Sequence, residues 1–248
     1  MRPRLLRALY STDANNLTIS NVRFQSTGNN NSIRLNYYDD REHDLTLSNV
    51  FVDTNTQYSM FNLVVENNTQ LNADISDITL NNANSSGLSI SLRDNAQIST
   101  NINRMIVTNS ASSGISATAR YNSLADVIIS NSEFSNNGSS GVLLTLQNDA
   151  NGSLDLSKTQ LFSNGSRGLY LNDDSTGSIN ADIGGGALGS VGQNSTYNNT
   201  ADDIFVDLDG GELKAENNYW GVGGLNIGNI NLNDGTIDAD PELSEDPN

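Results

Sequence analysis

The sequence predicts an all-β solenoid, a single coil of short strands wound about seven to eight times at ~27 residues per turn, with three short sheets. Three observations carry this. Gly87, Gly114, Gly141 and Gly168 recur at steps of 27, 27 and 27 residues, and each opens a short apolar run such as Gly141-Val-Leu-Leu144. A second column runs Asn21, Asn49, Asp77, Arg104, Asn131 and Lys158 at steps of 28, 28, 27, 27 and 27. Around both columns apolar and polar residues alternate at period two, as strands require, and no stretch sustains a helical period.

Residues 1–15 read as a capping segment. Leu5, Leu6, Leu9 and Tyr10 form one stripe at helical spacing and Pro3 suits a first helical turn, so a short amphipathic helix over the first coil is expected. Arg2 and Arg4 ahead of apolar residues also suggest an export signal. That run is short and broken by Arg7, so no intact signal peptide is read.

The solenoid proper spans 16–221. Leu-Thr-Ile-Ser-Asn-Val-Arg-Phe at 17–24 and Leu-Thr-Leu-Ser-Asn-Val-Phe-Val at 45–52 are one unit used twice. Leu45, Leu47, Val50 and Val52 point inward on either side of a turn at Ser48-Asn49, and Phe61, Leu63 and Val65 complete the coil. The same roles fall on Ile102, Met105, Val107, Ile115 and Ala117, then on Val127, Ile129, Phe134, Val142, Leu144 and Leu146. Equivalent residues then stack about 4.8 Å apart and form ladders. Asparagine suits the turn because it tolerates a left-handed backbone and its amide can bond the next Asn; Asp77, Arg104 and Lys158 should interrupt that ladder. The Gly-rich stretch 184–192 stretches the step from Gly168 to Asp203 to 35 residues, and the turns at 36–44 and 184–193 are expected to be the loosest. Residues 222–248 supply a final strand and a C-terminal cap. Trp220, the single tryptophan, plugs the core, and Pro241 and Pro247 stop further pairing.

Composition narrows function. There is no cysteine and a single histidine, so thiol chemistry, disulfides and His-His metal sites are excluded. Twelve Lys and Arg against 29 Asp and Glu leave a net charge of −17, which disfavours nucleic acid and anionic membranes as partners. About one residue in six is Asn, far above ordinary usage. His43 lies in the charged run Asp39–Asp44, where an ordinary exposed histidine is the simpler reading.

The whole arrangement resembles the right-handed parallel β-helix of pectate-lyase-like proteins, over about residues 16–240. The Asn21, Asn49 and Asn131 column is similar to that family's asparagine ladder. The closing text is similar to the last coils of large bacterial secreted and cell-surface β-helix proteins: Ala181-Asp-Ile-Gly-Gly-Gly, then Ala215-Glu-Asn-Asn-Tyr-Trp-Gly221, then Ile237-Asp-Ala-Asp-Pro241. The resemblance implies secretion or surface display, and a working surface on the outer face of the first sheet. It does not bring the family's chemistry. The Gly-His-Gly of the hydrolases and the Asp-Pro-His of the epimerases are missing from this sequence. An elimination would need a base, for which Arg93, Arg120, Lys158 and Arg167 are the nearest candidates.

On the outer first-sheet face, one column reads Arg34, Asn62, Ser89, Ser116, Leu143, Tyr170 and Phe205. The other reads Asn36, Val64, Ser91, Thr118, Thr145, Asn172 and Asp207. Tyr170 and Phe205, flanked by Leu143 and Asn172, suit sugar rings, although simple sheet cohesion explains an aromatic pair equally well. Asp173, Asp174, Asp207 and Asp209 are candidate calcium ligands, since a hard cation takes six to eight oxygens. Ile204, Val206 and Leu208 should be buried, with Phe205 and Asp207 outside. The expected function is a non-catalytic, monomeric module of an exported bacterial surface protein, a rigid spacer binding glycan or calcium. The competing readings are a polysaccharide lyase acting on acidic polymer, and a viral tailspike fragment that would trimerise.

Overall fold

The computed structural model describes residues 4–6, 8–24, 30–56, 58–207, 211–233 and 235–248. The chain is a parallel β-solenoid of about 8 turns, and its one short helix among the described residues is a 3-10 turn at Ile227–Asn229. Two hydrogen-bonded sheets run its length. The nine-stranded one begins with Leu9–Thr12, Ile33–Tyr37 and Phe61–Val65 and continues through Leu169–Ser175 and Ile204–Val206 to Ile230–Asn231. The thirteen-stranded one bends. Its strand Glu42–Thr56 turns a corner at Asn49 and keeps the same register on either side, so the three faces read from the sequence are built from two sheets. In later coils the bent strand divides, as Leu124–Ser130 and Glu133–Ser135.

Register follows the apolar period. Ile33, Phe61, Leu88, Ile115, Val142, Leu169, Ile204 and Ile230 pair in sequence across the nine-stranded sheet. All but Ile230 are buried to within 2 % exposure, while their neighbours Asn62, Ser89 and Ser116 face outward. A one-residue slip would turn every one of these ladders inside out, which pins the register.

Among the described residues, most corners of the coil are marked by a residue with left-handed backbone, and these fall in three columns. The first column holds Asn21, Asn49, Asp77, Arg104, Asn131, Lys158 and Gln193, with φ between 51° and 59°. The second holds Asn82, Asn109, Asn136, Ser163 and Asn198, and the third Asp13, Asp40, Asn67, Asp94, Tyr121 and Asn148, again all at positive φ. Asn and Asp reach this region at the lowest steric cost after glycine, which accounts for the asparagine content. Where the first column changes residue, its geometry persists. Asn49 Nδ2 donates to Asn21 Oδ1 at 2.8 Å; two coils on, Arg104 donates twice to Asp77, at 2.6 and 2.7 Å. That hydrogen bond holds the Asp77 carboxyl below its usual range.

A further ladder lies inside the second corner. Asn164 Oδ1 accepts from both the amide and the side-chain nitrogen of Asn137, at 3.1 Å each, and Asn199 Oδ1 accepts from the same two groups of Asn164, at 3.0 Å each. Asp203 Oδ1 ends the row, accepting from Asn199 N at 3.2 Å and Nδ2 at 2.8 Å. The second hydrogens of the three amides go to the Val107, Phe134 and Leu161 carbonyls. Asn194 and Asn218 repeat the device. These side chains are buried. Beside them the glycine column is explained by close approach: a Cβ on Gly114 would lie 2.6 Å from the Gly141 carbonyl oxygen, and one on Gly141 2.8 Å from that of Gly168.

Three expectations are corrected. The N-terminal segment is not helical: Arg4–Leu6 and Leu9–Thr12 are strands paired to Val22–Phe24 and Ile33–Asn36. An open parallel edge offers a short segment more hydrogen bonds than an isolated helix of that length could keep. His43 is not exposed. It falls on an inward strand position, in register with Leu71, where it is 2 % exposed, packs its ring 5.0 Å from Tyr37 and bonds Asp39 at 2.6 Å. The Gly-rich stretch is tied down. Buried Asp182 accepts from the Gly184 and Gly186 amides on Oδ1 and from the Gly189 and Ser190 amides on Oδ2, at 3.0 to 3.3 Å. A Cβ at Gly186 would sit 2.7 Å from the Asp182 carboxyl carbon, so the loop has no room for a side chain there.

Asn164→Ala strands buried groups on two neighbouring coils and is expected to cost roughly 2–4 kcal/mol, measured by urea denaturation; a loss no larger than that of exposed Asn131→Ala would contradict the ladder. Asp203 yields a pH prediction. Burial pushes its carboxyl up, against the bonds from Asn199. Its favourable contribution is therefore present below the ordinary carboxylate range and is lost as pH rises through its folded pKa. Asp203→Asn keeps the acceptor oxygen, so it should raise the Tm at neutral pH, and the gain should vanish in acid.

Candidate functional site

The distal coils of the nine-stranded sheet gather the most varied outer surface. Tyr170 and Phe205 are register partners, with ring centroids 4.9 Å apart and planes at 77°. The 35-residue step therefore loops out without shifting register: Ile204 and Val206 are buried, and Phe205 and Asp207 face outward, half-buried. Leu208 and Asp209 lie outside the described residues. Leu143 pairs with Tyr170 one coil earlier and is half-buried.

Arg167 completes the patch. Its guanidinium lies 4.2 Å from the Tyr170 ring centre and 4.5 Å from that of Phe205, and its Nε donates to Asp202 Oδ2 at 2.9 Å. The ordered corner beneath places it there: Asn164 and Asn199 lock the backbone just before Arg167 and Asp202. From the sequence alone Arg167 stands out only as a candidate base. The missed signal is its place in the column Ser86, Ser113, Ser140, Arg167, where a small hydroxyl becomes a large cation in the same coil as the first outer tyrosine of this stretch.

The polar column alongside runs Thr145, Asn172, Asp207, Asn233. Asn172 Nδ2 donates to Asp174 at 2.9 Å, the Tyr170 hydroxyl reaches Asn172 Oδ1 at 3.4 Å, and Asn233 Nδ2 donates to Asp207 Oδ1 at 3.1 Å. Of the candidate calcium ligands, Asp209 lies outside the described residues, and Asp173 and Asp174 are adjacent on one strand. Asp173 is in register with buried Leu146 and alternates away from Asn172 and Asp174. Among the described residues no three His, Asp or Glu side chains gather as a metal site.

Of the candidate bases, the three arginines are engaged. Arg93 donates to Glu66 at 2.6 Å, which pushes its guanidinium pKa further up, and Arg120 donates to Gln147 at 2.6 Å. Lys158 stands at a first-column corner, away from Asp173. A second aromatic row went unread in the sequence: Phe162 and Tyr197 stack 5.5 Å apart at 13°, and Tyr219 meets Tyr197 edge-on at 5.8 Å. Burial and then Asp246 push the Tyr197 phenol up.

Searches against protein-family models, curated proteins and solved structures found no significant match. The calcium reading is tested by calorimetry: if Asp174 and Asp207 hold the ion, millimolar calcium raises the Tm by linkage and Asp207→Asn abolishes the rise, whereas an unchanged Tm would leave these carboxylates as solvated surface.

Proposed function

We propose that the chain is a non-catalytic β-solenoid module of an exported bacterial surface protein, a rigid spacer that presents a polysaccharide-binding patch on its distal coils. The observation that carries this reading is the Tyr170–Phe205 pair with Arg167 across it and Asn172 and Asp207 beside it. Ring edges and faces offer apolar contact to sugar C–H groups, and the flanking amide and carboxylates offer hydrogen bonds to hydroxyls. About 8 coils at roughly 4.8 Å give a rod near 40 Å long, paired coil to coil throughout, which suits a spacer. Arginines tied to acceptors on this face supply no base for elimination.

A glycan array followed by titration tests the reading. Tyr170→Ala should weaken the best ligand at least tenfold, whereas Ser89→Ala in the middle of the same face should not. Release of unsaturated or reducing-end products from any bound polymer would favour the lyase, and a stable trimer in solution would favour the tailspike fragment.

A further inference from the structure

The core is sealed along the rod and open at its two ends. Among the described residues, the apolar side chains left only partly buried against it are Leu9 and Leu17 in the first coil and a group in the last that includes Ile230, Leu232, Ile237 and Ala239. Ile230 and Ile237 are register partners of Ile204 and Leu213, each 0 % exposed, so they stand at core positions with one side uncovered. The strand edges beside them are free. Leu9–Thr12 and residues 17–20 at one end, and Ile230–Asn231 and Thr236–Asp238 at the other, pair on one side only.

Charge is divided in the same way. Residues 1–41 hold six of the twelve Lys and Arg, Arg23, Arg34 and Arg41 among them, against three Asp, so this end is net positive in a chain of −17. Residues 234–248 hold six Asp and Glu and no base. Lys214 bridges Asp238 at 2.8 Å, but among the described residues no cation lies against Asp240, Glu242 or Glu245.

We propose that the two ends dock on each other, the first coil of one copy adding to the last coil of another in the parallel register the solenoid already uses. Two columns run unbroken between the ends. One leads from Leu9 through Phe61 and Val142 to Ile230. The other leads from Thr18 through Asp74 and Asp155 to Asp238. One further coil therefore sets Leu9 beside Ile230 and Leu17 beside Ile237, which closes both apolar gaps and brings the positive end onto the acidic one. The third face is filled at both ends, by Arg4–Leu6 against residues 22–24 and by Leu243, whose amide donates to Asn218 as that of Tyr219 does to Asn194. Docking there makes Arg4–Leu6, held by three register pairs, give up its place to residues 242–244 of the other copy. The contact joins unlike surfaces without closing, so it builds a linear file of solenoids.

Sedimentation velocity of the full chain over a hundredfold range of concentration tests this. In low salt the mean mass should climb steadily from that of one chain without a plateau, and a tenfold rise in salt should weaken association at least fivefold. Ile227 is 63 % exposed and lines a groove with Ile237 and Ala239, so Ile227→Lys blocks the last coil. Tyr10→Glu with Arg34→Glu blocks the first. Each variant alone should stay a single chain, whereas an equimolar mixture should form a dimer and nothing larger, because each supplies the end the other lacks. A one-chain mass for the unaltered protein at every concentration and salt, or a closed dimer or trimer, would overturn the inference. So would a mixture that stays monomeric while both variants keep the circular dichroism of the unaltered chain. Where a variant fails to fold, the concentration and salt response of the unaltered chain decides.

Discussion

A closed coil of about 27 residues must change direction three times, and in this chain most of those changes use backbone in a region that most residues avoid. That constraint organises the rest of this molecule. Three columns of left-handed residues, filled mostly by Asn and Asp, set the corners, and the strands between them take whatever length remains. The corner conformation outranks the identity of the side chain, since Arg104 and Lys158 hold it as Asn49 does. The cost of a non-ideal residue there is about 1 kcal/mol, which stacking on both sides offsets.

The buried ladder then makes one corner rigid enough to aim side chains. Asn137, Asn164 and Asn199 each satisfy a backbone amide in the preceding coil as well as their own neighbours, so corner and coil spacing are fixed together. This is how the chain absorbs eight extra residues between Gly168 and Asp203 and still lands Phe205 on Tyr170. The extra length folds around a single carboxylate, Asp182, whose four backbone donors replace the contacts a regular coil would have made. Its register partner Asp155 bears part of the cost, its carboxyl pushed up first by burial and then by Asp182.

The solenoid, its period and its inward residues were legible in the sequence because period-two alternation and a fixed repeat are one-dimensional signals. Leu88 inside and Ser89 outside follow directly from them. The terminal strand Leu9–Thr12 was not legible, because Leu9 and Tyr10 fit a helix stripe with Leu5 and Leu6 as well as an edge strand until a partner strand is known. His43 misled for a related reason: its charged neighbours describe the turn, while its own position is set by register with Leu71. The inner asparagines were hidden among so many others, and only the repeated Asn-Gly-Ser at 137 and 164, four residues before the glycine column, marks them. At the patch, Tyr170, Phe205, Asn172 and Asp207 could be listed by counting. Arg167 could not, because its role comes from a corner that folds it back over the rings.

Residue-resolved hydrogen exchange tests most directly whether the second corner is held as argued. The amides of Ser110, Asn137 and Asn164 each donate to an asparagine oxygen in the following coil, at 3.0 to 3.1 Å. They are predicted to exchange as slowly as the strand amides of Leu144 and Leu171, through the same cooperative opening. Exchange of those three amides at the rate of exposed turns, while the strands stay protected, would contradict the account.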